Sequence, residues 1–290
     1  MKWYNYPIQK TKVDHKNYPG VLKEIKNPPK VLFYRGKLDQ TLFKKSLAVV
    51  GTRRMTRYGR MVVDQFLSGL VSQKITIISG FMYGIDTEAH QKCLEYNGQT
   101  VAVLGNGLNI LYPPENEKLY QQILDADGAI LTEYEPEFKP QLWTFPQRNR
   151  IVAGLSTLGV LVVEAGEKSG SLITARLAKK QGKKVFAIPG PVTSTVSVGT
   201  NRLIQTHQAK MVVCADDILG KKISKPTLFE TSPLAPLEKK IYQALQTEPL
   251  TVDELAKITG KNVIEVSQLL SLISLKGFIT ESAGKFYLNS

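Results

Sequence analysis

Cysteine is nearly absent from this sequence of 290 residues. Cys93 and Cys214 are its two thiols, too few for a disulfide framework or a thiolate zinc site. Histidine is as scarce, with His15, His90 and His207, which argues against a histidine-rich metal centre. No apolar run approaches the ~18–20 residues of a membrane span. The opening Met1-Lys2-Trp3-Tyr4-Asn5-Tyr6 has no apolar core of a secretory signal. A Gly-x4-Gly-Lys-[Ser/Thr] phosphate loop is missing. Gly105-Asn106-Gly107-Leu108-Asn109-Ile110 lacks the third glycine of the dinucleotide fingerprint and runs into Tyr112-Pro113-Pro114 instead of a helix. Neither NAD nor ATP, nor any other cofactor, is therefore expected. Acidic side chains are also in deficit, 25 against 38 Lys and Arg, a net charge of +13. The chain reads as a soluble, cytoplasmic protein without a metal, without membrane contact, and with an anionic partner.

The excess charge is uneven. Residues 1–45 carry net +8, residues 46–225 net +6, and residues 226–290 net −1. A polyanion would meet the first two segments and not the last. The plainer account, that scattered lysines serve solubility alone, weighs equally with it until motifs are considered.

Residues 1–45 are irregular apart from a strand at Val31-Leu32-Phe33-Tyr34, and read as a basic extension that adds an edge to the adjoining domain. From Ser46 the pattern alternates. Apolar runs begin at Leu47, Ile75, Val101, Ala129, Val160 and Val185. Helical stretches lie near 58–73, 84–97, 116–126, 147–156 and 171–182. This alternation predicts an α/β fold, a doubly wound, mostly parallel sheet with helices on both faces, over 46–220. Residues 221–236, punctuated by Pro226, Pro233 and Pro236, read as a linker. Residues 237–290 show three helices, the second opened by a Thr251–Glu254 capping box, then a hairpin about Ala283-Gly284. That is the outline of a winged helix.

In a doubly wound sheet ligands bind beyond the carboxyl ends of the strands. The runs there end in Gly51-Thr52-Arg53-Arg54, Ser79-Gly80-Phe81, Gly105-Asn106-Gly107, Glu164 to Ser169-Gly170-Ser171, and Pro189-Gly190-Pro191. Glycine and serine loops let backbone N–H groups approach an oxyanion, most clearly at Ser169-Gly170-Ser171, where a helix starts. Arg53, Arg54, Arg148, Arg150 and Lys168 flank these loops. Arg148-Asn149-Arg150 opens a predicted helix, where the dipole disfavours cations unless an anion is bound. Phe81, Tyr83, Trp143 and Phe145 interleave with them; cations and aromatics together suit single-stranded nucleic acid. Taken singly, each aromatic is more often a core residue; a solvated surface is the weaker account of the arginines, because they flank glycine loops.

Asp86 and His90 lie four apart on a helix. The pair reads as structural, Asp86 bracing the loop that carries Phe81, because no second carboxylate or nucleophile has the spacing of a known reaction. Glu164 is either a base or an orienting partner for Arg148 or Arg150. No catalytic residue is assigned. The presumed recognition helix of the winged helix, 262–276, offers one cation, Lys276. A protein-contact role fits it better than duplex binding.

Taken in order, Gly51-Thr52-Arg53, Ser79-Gly80 with Gly84-Ile85-Asp86 and Ala89-His90, Val103-Leu104-Gly105 with Gly107-Leu108 and Tyr112-Pro113, Phe145-Pro146 with Arg148-Asn149-Arg150-Ile151, Glu164-Ala165 with Ser169-Gly170-Ser171-Leu172-Ile173-Thr174-Ala175, and Pro189-Gly190 resemble the DNA-processing family DprA, also called Smf. The resemblance covers about residues 18–219. It implies an extended Rossmann-like fold and a homodimer without enzymatic activity. That homodimer binds single-stranded DNA and helps load the RecA recombinase on incoming DNA during natural transformation. It places Arg53 in a phosphate pocket, with Arg148, Arg150 and Lys168 as further basic residues. Thr52 stands where the family usually has serine, and Tyr83 where it often has arginine. An N-terminal helical domain carried by many members is not expected within 45 residues. The C-terminal winged helix matches an accessory domain of many members. Two other classes compete. A nucleotide phosphoribohydrolase would need a Pro-Gly-Gly-x-Gly-Thr-x-x-Glu loop, where this chain has Lys168 to Ala175 with no glutamate following. A winged-helix transcription factor is opposed by the acidic balance of the last segment.

Overall fold

Each predicted β-branched run forms a strand, because a run apolar on both faces is satisfied only between two layers. The computed structural model describes residues 2–220, 235–275, 278–282 and 284–288. Contacts divide the chain into two compact units, with the boundary among residues 221–234. Nearly all of the expected linker at 221–236, and Lys276, lie outside the described residues.

The first unit opens with β1 (Gln9–Lys12), α1 (Gly20–Lys23) and β2 (Val31–Gly36). It continues through β3 (Ser46–Val50), α2 (Arg57–Ser72), β4 (Thr76–Ser79), α3 (Ile85–Glu95), β5 (Thr100–Val103), α4 (Glu117–Asp125) and β6 (Ala129–Thr132). It closes with α5 (Thr144–Leu155), β7 (Gly159–Val162), α6 (Gly170–Lys180), β8 (Val185–Ala187), α7 (Val198–Gln205), β9 (Lys210–Met211) and α8 (Ala215–Leu219). The nine strands form one sheet in the order β1-β2-β6-β5-β4-β3-β7-β8-β9. β6 through β9 run parallel in that order. β2 is antiparallel to β6, with Phe33 opposite Thr132, and β1 is antiparallel to β2. Residues 1–45, set apart in the sequence as an extension, therefore belong to this unit and supply two of its strands.

Alternation along the strands feeds two layers. Ala48, Val50, Val160 and Val162 pack with Leu22, Ile151, Val152 and Leu155 of α1 and α5. Leu47, Val49 and Leu161 pack with Val62, Phe66, Leu70 and Ile85 of α2 and α3. Each fully buried side chain of this kind contributes about 1.5–3 kcal/mol. A third cluster, with Phe33, Phe81, Tyr120 and Ile123, lies under α4. The chain leaves β3 towards β4, β5 and β6, then returns to β7 on the other side of β3. The loops after β3 and β7 diverge there and leave a crevice.

The second unit consists of α9 (Pro236–Leu245), α10 (Val252–Thr259), α11 (Val263–Leu275), β10 (Ile279–Ser282) and β11 (Lys285–Leu288). Ile241, Leu255, Val266, Leu270 and Ile273 make its core. Thr251 and Glu254 satisfy each other's backbone at the start of α10, and Gly260 ends it in the left-handed conformation. These are the helices and hairpin of a winged helix.

Candidate nucleic-acid interface

A cavity of about 790 Å³ occupies the crevice between the β3 and β7 loops. Gly51, Thr52, Arg53 and Arg54 line it from β3, Gly80, Met82 and Asp86 from β4 and α3, Leu142, Phe145, Arg148 and Asn149 from the start of α5, and Lys168, Ser169, Gly170 and Ser171 from the start of α6. Thr195 and Val196 close one side. The sequence reading missed them; the Pro- and Ser-rich run after β8 was their signal.

The β3 loop is stitched to one residue at both ends. The Thr52 N–H donates to the Glu164 carbonyl at 2.8 Å. The Thr56 N–H and hydroxyl donate to the two Glu164 carboxylate oxygens at 3.0 and 2.5 Å, while Thr56 also caps α2. Glu164 is buried. It thus holds the loop that bears Arg53 and Arg54, in place of the expected contact with Arg148 or Arg150. Gly84 is required beside it: its φ is +75°, and a Cβ there would lie 2.3 Å from the Thr52 carbonyl oxygen. Arg53 and Arg54 are exposed, and the Arg53 guanidinium sits 5.5 Å from the centre of the Phe145 ring.

Arg148 forms the floor. It is 3% exposed and donates to the carbonyls of Gly80 and Val103. Burial pushes its guanidinium down to about 10, against the pull of Asp86, so it is charged at neutral pH. A Cβ on Gly80 would come within 2.5 Å of an Asp86 oxygen and 2.7 Å of an Arg148 nitrogen, so only glycine fits between them. Burial pushes the Asp86 carboxyl up to about 6, with Arg148 opposing. α5 begins at Thr144, which puts Arg148 in its second turn. At that depth in the helix the dipole does not call for an anion at Arg148, whose guanidinium is instead held by the Gly80 and Val103 carbonyls.

Ser169 caps α6 by accepting from the Ser171 N–H, and the Asn149 amide donates to the Gly170 carbonyl at 3.4 Å. Four cations, Arg53, Arg54, Arg148 and Lys168, line the cavity against one carboxylate, Asp86.

The other expected residues lie elsewhere. Arg150 makes a two-pronged ion pair with Glu133 and donates to the Asn27 carbonyl; it does not line the cavity. Ser79 is buried and donates to Val49. Phe81 is fully buried against Tyr120 and His90. Gly105 and Gly107 sit in a loop tied to residues 136–138, the Gly107 N–H donating to Phe138, and they too lie outside the cavity lining. His90 shares its proton with Thr100, not Asp86. Nδ1 lies 2.6 Å from the Thr100 hydroxyl, which itself donates to Ile77, so Nδ1 carries the hydrogen. Burial pushes His90 down to about 3. Among the described residues no three His, Cys, Asp or Glu side chains are grouped to hold a metal, and no helix is long and apolar enough to cross a membrane.

The family model described as DNA recombination-mediator protein A matches residues 9–222, and the DprA winged helix domain matches residues 225–285. Protein Smf of Synechocystis sp. is 36% identical over 313 residues, covering 94% of this chain and 78% of the relative. The crystal structure of DNA processing protein A from Streptococcus pneumoniae superposes with a TM-score of 0.69 at 40% identity, over 77% of this chain and 76% of that one. A structure of the Helicobacter pylori DNA processing protein A, described for its single-stranded DNA binding mode, gives a TM-score of 0.66 at 32% identity, over 76% and 97%.

Proposed function

We propose that this chain, which belongs to the DNA recombination-mediator protein A family, binds single-stranded DNA in the cavity between the β3 and β7 loops. The observation that carries the reading is the charge of that cavity, four cations to one carboxylate. Two cations, Arg53 and Arg54, stand exposed on a loop pinned to Glu164, and Arg148 is a desolvated charge beneath them. The start of α6 at Ser169-Gly170-Ser171 brings the positive end of its helix dipole to the cavity. The finer steps follow the family resemblance: a cytoplasmic homodimer that helps load the RecA recombinase on incoming single strands during natural transformation. The protein acts by binding and not by turnover. Incubation with ATP, NAD or nucleoside monophosphates should release neither phosphate nor base above a heat-killed control.

Titration of single-stranded, duplex and mononucleotide ligands over a range of salt tests the reading. Single strands should bind most tightly, with a steep log–log salt slope. Arg53→Ala or Lys168→Ala should each lower that slope by ~0.7, with folding intact by circular dichroism. Unchanged affinity in both variants would remove the proposed site.

A further inference from the structure

Four aromatics interleave with the basic residues in the sequence; the fold buries Phe81 outright, lines the cavity with Phe145 and leaves Tyr83 part-exposed at 37%. Phe81 is wedged in the core with Tyr120 and His90. Phe145 lies beneath the Arg53 guanidinium and against Tyr112. Tyr83 donates its hydroxyl to Glu115 at 2.7 Å.

Trp143 is the fourth, and it is 55% exposed. It stands next in the chain to Leu142, a lining residue of the cavity that is 92% exposed. Behind the indole, Tyr134 and Phe138 are stacked with centroids 4.9 Å apart. Trp143 meets both edge-on, at 6.0 and 6.1 Å. An exposed tryptophan backed by two rings is held in place and open to solvent at once. In the segment 133–139 that supplies this backing, Glu133 is paired with Arg150, which leaves the exposed Glu135 and Glu137 against Lys139. Such a surface repels phosphate and leaves stacking as the attraction that remains.

We propose that Trp143, seated on the Tyr134–Phe138 stack, is a nucleobase-stacking platform beside the phosphate cavity. It takes the unpaired base of a strand whose phosphates lie against Arg53 and Lys168. This rests on the single-strand reading above and adds a separate contribution to it. A paired base keeps its faces inside the duplex stack, so the platform discriminates for single strands where the cations alone would not. It is also tolerant of sequence, because every base has a π-face.

The test separates bases from phosphates. The chain has two tryptophans, Trp3 and Trp143. The Trp3 indole donates to Glu117 and packs on Tyr120, so Trp3→Phe leaves Trp143 as the reporter. An oligothymidine should quench that fluorescence, and an abasic oligonucleotide of equal length and charge should not. Trp143→Ala should bind oligothymidine about 5- to 150-fold more weakly, with the salt slope unchanged and abasic affinity equal to wild type. Trp143→Phe, which keeps a ring on the Tyr134–Phe138 stack, should retain most of the affinity. Equal quenching by both oligonucleotides, or wild-type affinity for oligothymidine in Trp143→Ala, overturns the platform while leaving the cavity reading intact. Failure of the wild-type chain to bind either oligonucleotide overturns both.

Discussion

Arg148, Asn149 and Arg150 are consecutive in the chain and end in three surroundings. A helix turns each residue by about 100° from the last. Arg148 therefore points under the cavity, Asn149 towards Gly170, and Arg150 back to Glu133 and Asn27. The motif was legible as a unit; its division was legible only through that rotation, which separates residues two apart onto opposite faces. The buried carboxyl beside Arg148 has a consequence for pH. Asp86 titrates near 6 in the fold and near ~3.9 in an unfolded chain. The folded state thus holds the proton more tightly, and this residue's contribution to stability falls as pH rises from about 4 to 6, by about 3 kcal/mol in all. His90, pushed down by burial, acts in the opposite sense over its own range, so the comparison must be made against a variant. Relative to wild type, Asp86→Asn should gain stability between pH 4 and 7 in urea melts. Parallel pH profiles for the two proteins would show that the carboxylate is not desolvated as described.

At the scale of elements, the β3 loop owes its position to a residue more than a hundred places along the chain. Glu164 was conspicuous in the sequence as an acid ending an apolar strand, but its partner depends on which strand lies beside β3. Parallel pairing of β3 with β7 brings Thr52 and Thr56 to it, a long-range fact that no local pattern contains. Glu164→Ala should weaken single-strand binding, and Glu164→Gln, which keeps one acceptor, should weaken it less. Combined with Arg53→Ala, the loss should be less than the sum of the two single losses, because the carboxylate acts by placing that arginine. Strict additivity in the double-mutant cycle would separate them. Element boundaries slipped for physical reasons as well. Pro146 occupies the third position of α5, where a proline is tolerated because first-turn N–H groups have no partner within the helix. A reading that starts helices after proline begins α5 late, at 147. α7 went unseen because Gly199, Thr200 and Asn201 break the apolar period at its start.

At the scale of the molecule, the alternation of strands and helices made the doubly wound sheet and the winged helix readable without coordinates. The strand order was not, since periodicity does not say on which side of β3 the chain returns. The two compact units and the acidic balance of residues 226–290 lead to one expectation. Removing residues 226–290 takes away net −1 and raises the remainder from +13 to +14, so single-strand affinity should stay within about threefold, ~0.65 kcal/mol. A tenfold loss in a folded truncation, measured in the same salt, would place the winged helix on DNA. The outermost strands give the basic N-terminus a second meaning. β1 shows Gln9, Lys10 and Lys12 to solvent, the Lys10 ammonium lies 5.0 Å from the Phe33 ring centre, and at the far side β9 is two residues long. A bare β2 would offer an open edge six residues long to any passing strand. Short flanks and lysines instead make both margins poor templates for cross-chain pairing, so part of the positive charge guards the sheet against self-aggregation, independent of any nucleic acid.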